Sequence, residues 1–240
     1  MASTKRGRIA AIIIWPLLLA AAAVAWHVWH DIGWRPPDRW NPFAPLRIDE
    51  TPGWLTRYKL ARLDGDPQRC LAVLDGSGFD FRPLADHHPA PGCGFDDAVR
   101  ISRSASALSA PLTLSCPAAV SLALWERHVV RPAAGRHLQQ PIARLDHLGS
   151  YVCRNVYGRP DGPRSRHASA DAIDIAGVTL SGGRRIRLVD GWSGSGADAT
   201  FLREIRDGAC RFFDGVLSPD YNAAHADHLH LERHGYRVCR

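Results

Sequence analysis

The run His228-Leu229-His230-Leu231-Glu232 alternates polar and apolar side chains with a period of two, the pattern of a strand with one face in a core. On that strand Leu229 and Leu231 point inward, and both imidazoles share the other face. A second stretch must be read with it: S-R-H-A-S-A-D-A-I-D-I at 165–175, in which His167 and Asp174 stand seven residues apart. On one continuous helix that spacing is a rise of about 10.5 Å, too far for two short side chains to share a metal with bonds of roughly 2.0–2.2 Å. A turn at Ala168 to Ala170 and a strand at Ala172 to Ile175 would bring them together, with Asp174 aimed opposite to Ile173 and Ile175. Two histidines and one carboxylate leave one corner of a tetrahedral zinc for water, the arrangement of a hydrolytic rather than a closed, cysteine-rich structural site.

The other end of the chain bounds where such a site works. Ile9 to Trp26 is almost entirely apolar and follows Lys5, Arg6 and Arg8. About 20 residues span the hydrocarbon of a bilayer, so with Val28 and Trp29 the run suffices for one helix, and Pro16 is tolerable there. The expected organisation is a basic cytoplasmic N-terminus at 1–8, a membrane anchor at 9–29, a Pro-rich tether at 30–50 and one domain at 51–240. That places the chain in an inner membrane as a single-pass protein with its domain in the periplasm. A cleaved signal peptide is the rival reading, because Ala20 to Ala25 supplies small residues.

Six cysteines without a C-x-x-C pair, Cys70, Cys93, Cys116, Cys153, Cys210 and Cys239, argue against a cysteine zinc knuckle. In an exported domain they read as up to three disulfides whose pairing the sequence leaves open. The net charge of +6 comes almost wholly from arginine, since Lys5 and Lys59 are the only lysines. A basic exterior suits an anionic wall or membrane surface. No basic block interleaved with aromatics points to nucleic acid, and the oligomeric state is left open.

Along the domain, Thr51 as cap and Pro52 as first helical residue predict a helix ended by Asp64-Gly65-Asp66-Pro67, then a second helical piece carrying Cys70, Leu71 and Leu74. Residues 79–96 read as turns, and Ala98 to Leu114 as one or two strands. Cys116-Pro117 opens a helix that Pro132 stops; Leu138 to Val156 reads as strands with a break near Gly149. Gly177 to Leu188 reads as a hairpin turning at Gly182-Gly183, and Thr200 to Phe213 as a helix with a Phe201, Ile205, Ala209, Phe212 stripe. This order predicts an α+β fold, a small antiparallel sheet carrying the zinc site and flanked by helices, behind one transmembrane helix.

The blocks S-x-H-x-x-A-x-A-x-D and H-x-H resemble the metallopeptidase superfamily that groups lysostaphin-type enzymes, D-alanyl-D-alanine peptidases and the hedgehog signalling domain. Ala170 departs from the glycine of that pattern, at a cost of about 1 kcal/mol if the turn needs positive φ. G-S-Y-V-C-R at 149–154, F-L-R-E-I-R-D-G-A-C at 201–210 and Y-N-A-A-H-A-D-H-L-H-L-E at 221–232 resemble, more narrowly, the bacterial extensin-like C-terminal domain family. The superfamily resemblance implies His167, Asp174 and His230 as zinc ligands and His228 as general base. It implies His225 as a second base or transition-state contact, with an exposed loop histidine as the alternative, and Asp227 as the partner that holds an imidazole. Arg154 resembles a substrate-facing arginine that would stabilise an oxyanion, or is one arginine of a basic surface. Tyr151, Trp192 and Tyr221 either line a peptide cleft or are buried aromatics. The implied activity is zinc-dependent hydrolysis of an amide bond in the peptide part of peptidoglycan, of D,D-endopeptidase or D,D-carboxypeptidase type. The alternatives are a non-catalytic, zinc-stabilised wall-binding or envelope scaffold domain and a metal-free, disulfide-stapled interaction domain.

Overall fold

A computed structural model describes residues 3–31, 33 and 37–240, with side chains from residue 12 onward. The side chains of Lys5, Arg6 and Arg8 and the tether residue Pro36 lie outside the described residues. Helix α1, Ser3–His30, contains Pro16, and its Ile12–His30 portion, with a mean hydropathy of 1.9, is long and apolar enough to cross a membrane.

The stretch expected as a tether lies against the domain from Asp38 on. Lys59 Nζ donates to the carbonyl of Asp38 at 2.7 Å, Arg62 donates to that of Pro42 at 2.8 Å, and Leu46 and Ile48 are buried. The helix expected from Thr51 starts later, as α2 (Thr56–Ala61). The Gly53 N–H donates to Thr56 Oγ1 at 2.9 Å, so a hydroxyl-closed turn occupies the residues assigned to the first helical turn. Asp64-Gly65-Asp66-Pro67 separates α2 from a second helix, as expected, and its end opens α3 (Pro67–Asp75), which carries Cys70, Leu71 and Leu74: the Asp66 side chain accepts from the Arg69 N–H, and Pro67 takes a first-turn position that needs no donor.

Residues 79–96 are more ordered than their turn-rich composition indicates, carrying β1 (Asp80–Pro83), β2 (His87–Ala90) and β3 (Cys93–Phe95). Strands β4 (Ala98–Arg103), β5 (Ala107–Leu108) and β6 (Leu112–Ser115) follow. Strands β1, β4 and β6 form one antiparallel sheet, and β2 and β3 form a hairpin. Every residue of α4, Cys116–Trp125, is buried. Pro132 does not stop this helix. A π turn at Glu126–Val130 closes with the Arg131 N–H on the Glu126 carbonyl, and α5 (Arg131–His137) then restarts with Pro132 in its first turn. The wide turn absorbs the position at which proline would have owed a hydrogen bond.

Strand β7 (Ile142–Gly149) ends at the expected glycine. Strands β8 (Ala172–Leu180) and β9 (Arg185–Arg187) make the expected hairpin, with Gly183 at φ +83°. A short α6 (Leu188–Gly191), then α7 (Ala197–Ala209), β10 (Gly215–Leu217), β11 (Leu229–Glu232) and β12 (Val238–Cys239) complete the chain. The sheet that holds β8 and β11 is larger than expected and not wholly antiparallel. It has seven strands in the order β12-β10-β11-β8-β7-β5, with β9 on β8. Its outer pairs, β10 with β12 and β5 with β7, are parallel, each joined through intervening elements rather than by a hairpin. Leu145, Ile173, Ile175, Val178, Leu229 and Leu231 pack from the sheet into one core with Trp125, Phe201 and Ile205, and Trp125 Nε1 donates to the Ile205 carbonyl at 2.8 Å. The mixed α+β class is as expected.

All six cysteines pair, as Cys70–Cys116, Cys93–Cys153 and Cys210–Cys239. The loops they close span 46, 60 and 29 residues, for which lost chain entropy of the unfolded state gives about 4 kcal/mol each.

Candidate metal centre

Strands β8 and β11 are neighbours, and their register sets His230 directly opposite Asp174. The third group arrives from a 3₁₀ turn, Arg166–Ser169, that leads into β8. Its cap Ser165 accepts from the His167 N–H, and Ala170 closes it at φ 57°, ψ 22°. The turn therefore takes the left-handed conformation that favours glycine, with alanine in place. His167 is 2% exposed.

The functional atoms converge tightly. His167 Nε2 lies 3.2 Å from His230 Nδ1 and 3.1 Å from Asp174 Oδ2, and His230 Nδ1 lies 2.9 Å from Asp174 Oδ1. Two ligands of a tetrahedral zinc with bonds near 2.0–2.1 Å stand roughly 3.3 Å apart, so the triangle has the size of one such face. Among the described residues these three form the group able to hold a metal ion.

The hydrogen bonds behind the imidazoles fix which nitrogen faces the centre. His167 Nδ1 donates to the Ser150 carbonyl, which leaves Nε2 with a lone pair. His230 Nε2 donates to Glu232 Oε2 at 2.9 Å, which leaves Nδ1 with a lone pair. Each imidazole is thus oriented by a carbonyl or carboxylate on its far side, the support that metal-ligating histidines carry. Three electron-rich atoms in contact call for a cation between them. The electrostatics say the same: burial alone would lower His230, but its hydrogen bonds to Asp174 and Glu232 and their charges push it up to about 9. Burial would raise Asp174, yet His167 and His230 hold it well below the usual carboxylate range. A proton or a metal ion satisfies that demand, and the donor set suits zinc.

His228 precedes β11, so the strand starts one residue later than the alternation indicates, but its imidazole still reaches the site. Nε2 is 3.5 Å from Asp174 Oδ1, and Nδ1 is 2.8 Å from Asp227 Oδ1, which places Asp227 as the group that holds this imidazole. His225 ends a 3₁₀ turn, Ala223–His225. It is buried rather than an exposed loop residue, with Nδ1 2.7 Å from Asn222 Oδ1 and its ring 5.2 Å from that of His228 and 5.9 Å from that of His230. Burial first, and then the neighbouring His228 and His230, push its pKa down to about 4, so it is a neutral imidazole. Arg154 sits at the rim, partly exposed, with Nη2 4.0 Å from Asp174 Oδ2.

Of the three aromatics, Tyr221 alone stands by these groups, edge-on to His225 at 5.6 Å. Tyr151 packs on Phe95, and Trp192 is buried with Nε1 on Asp220. Tyr157 is a further rim residue, 6.4 Å from His225 and accepting at Oη from Asn222 Nδ2. Sequence reasoning missed it together with Ser150, Asn222 and the orienting role of Glu232. Only Glu232 left a signal, as the next same-face position after His230.

No curated protein and no solved structure matches the chain. The family model described as "Extensin-like protein C-terminus" matches residues 68–240, a span that holds all three converging groups, both orienting partners and all six cysteines. The chain belongs to the extensin-like C-terminal family.

Proposed function

We propose that the chain is a zinc-dependent peptidase of the bacterial envelope. On this reading it hydrolyses an amide bond in the peptide part of peptidoglycan and is held in the inner membrane by α1 with its domain in the periplasm. One observation carries the reading: His167 Nε2, His230 Nδ1 and the Asp174 carboxylate face one another within 3.2 Å while the far nitrogen of each imidazole is bonded away. The three disulfides support an oxidising compartment.

His167, Asp174 and His230 would hold the ion, which when bound supplies Lewis acidity toward water and toward a carbonyl oxygen. His228 takes the proton of the attacking water at Nε2 and returns it to the leaving amine, with Asp227 fixing the tautomer that leaves Nε2 basic. The Arg154 guanidinium, beside Asp174, neutralises charge that develops on the scissile carbonyl oxygen. Tyr157 and Tyr221 flank His225 and give the rim two flat surfaces for a peptide stem.

The test uses the full chain in detergent with its disulfides formed, assayed for bound metal and for muropeptide release from sacculi. The wild type is expected to hold one zinc and release muropeptides, His230→Ala to lose the metal, and His228→Ala to keep it while losing roughly 10²–10⁴ in rate. A wild type without zinc overturns the proposal. Zinc without any released muropeptide refutes hydrolysis and leaves a zinc-stabilised wall-binding or scaffold domain.

A further inference from the structure

Four large rings at the start of the domain are left in water. Trp40, Phe43, Trp54 and Tyr58 are 49%, 81%, 78% and 47% exposed, although the fold buries Leu46, Ile48, Leu55 and Leu60 from the same stretch. Arginines interleave with them in space. The Arg39 guanidinium is 5.3 Å from the Trp40 ring centre and that of Arg62 is 5.9 Å from that of Tyr58. Phe43, Arg62 and Arg69 line one shallow cavity of about 230 Å³. Two nearby acids are engaged, Asp49 by Arg47 at 3.0 Å and Asp66 by Arg69 at 3.2 Å. Four exposed rings within nineteen residues of chain, two of them under arginines, mark an interaction surface rather than ordinary solvated surface.

Chain length says what covers it. Helix α1 ends at His30 and the ordered packing of the domain begins at Asp38. Eight residues fully extended reach at most about 29 Å, and Trp40 follows two residues later. We infer that this aromatic and arginine patch docks the domain onto the anionic headgroup surface of the membrane that α1 enters, an inference that rests on α1 crossing that membrane. Tryptophan and tyrosine rings settle at the headgroup level, where an apolar body and a polar edge are both satisfied. The guanidinium fork matches phosphate oxygens in pairs. The short connection makes docking an intramolecular event, so weak contacts suffice.

The full chain is reconstituted into lipid nanodiscs of phosphatidylethanolamine and phosphatidylglycerol, and hydroxyl-radical labelling of Trp54 and Tyr58 is read by mass spectrometry. Arg39→Glu/Phe43→Ser alters two outward residues and serves as the undocked reference. Labelling of the wild type is expected to be about fivefold below that of the variant, with the difference shrinking in discs of phosphatidylcholine alone. Equal labelling of wild type and variant in chains that co-elute with the discs overturns the docking and leaves the anchor standing. A difference undiminished in phosphatidylcholine overturns the assignment to anionic headgroups. A chain that does not co-elute with discs overturns the anchor and the docking together.

Discussion

Replacing Glu126 by glutamine should abolish the fall in stability, about 3 kcal/mol, that this one carboxyl contributes as pH rises from about 4.5 to 7. Glu126 begins the π turn that carries the central helix past Pro132, and it is 2% exposed. Burial pushes its carboxyl up to about 7, against bonds from Ser104 Oγ and the Ala105 N–H and the charge of Arg131, which pull the other way. In the unfolded chain the group titrates near 4.5. Between those values the folded state binds the extra proton, so the stability this group contributes is full below the window and is lost as pH rises through it. At about 1.36 kcal/mol per pH unit, the loss across the window comes to about 3 kcal/mol. Glutamine can accept from the Ala105 N–H through Oε1 and donate to Ser104 Oγ through Nε2, so it keeps the contacts without the charge. Urea unfolding followed by tryptophan fluorescence is the assay. Wild type and variant should agree within about 1 kcal/mol at pH 5, and at pH 8 the variant should have the higher midpoint by roughly 1 M. Midpoints that move in parallel with pH would refute the assignment of a buried, charged Glu126 above neutrality.

Glu232→Gln leaves an acceptor for His230 Nε2 but removes its charge, and should weaken zinc binding about 10- to 100-fold in a chelator competition; unchanged affinity would deny Glu232 an orienting role. Asp227→Asn should lower the turnover of muropeptide release while leaving zinc affinity unaltered, since its contact is with His228 alone among the site histidines; a loss of metal would place His228 among the ligands instead. Ala170→Gly should change stability by less than about 1 kcal/mol, because relief of the left-handed backbone is offset by the lost buried methyl and by added freedom of the unfolded chain. A change above about 2 kcal/mol by chemical denaturation would contradict that balance.

Much of the candidate site was legible because its parts are local. Period-two alternation located β11, and the impossibility of bridging His167 and Asp174 on a helix forced the turn that Ala170 closes. What the sequence withheld were effects set at a distance. Ser150 is 17 residues from the imidazole it orients, and Asn222 and Tyr157, which meet over His225, are 65 residues apart. The first helix boundary failed where a side chain competed with the backbone, at Thr56. Pro132 misled because the remedy for a proline in a helix, a wide turn ahead of it, has no residue pattern of its own. The parallel edges of the sheet come from strands of two residues, β5 and β12, too short to show a period.

The Cys93–Cys153 bridge holds the segment that begins at Ser150, whose carbonyl orients His167, and ends at Arg154 on the rim. His167, Asp174 and His230 are written into β8, β11 and the turn that leads into β8, whereas this brace, which adds to the Val152 N–H bond on the His167 carbonyl, is closed by an oxidation. A freshly made chain in a reducing compartment therefore carries the three groups without the covalent bridge beside one of them. The covalent brace beside His167 is thereby tied to an oxidising place of folding, whatever proton or ion the three groups take up.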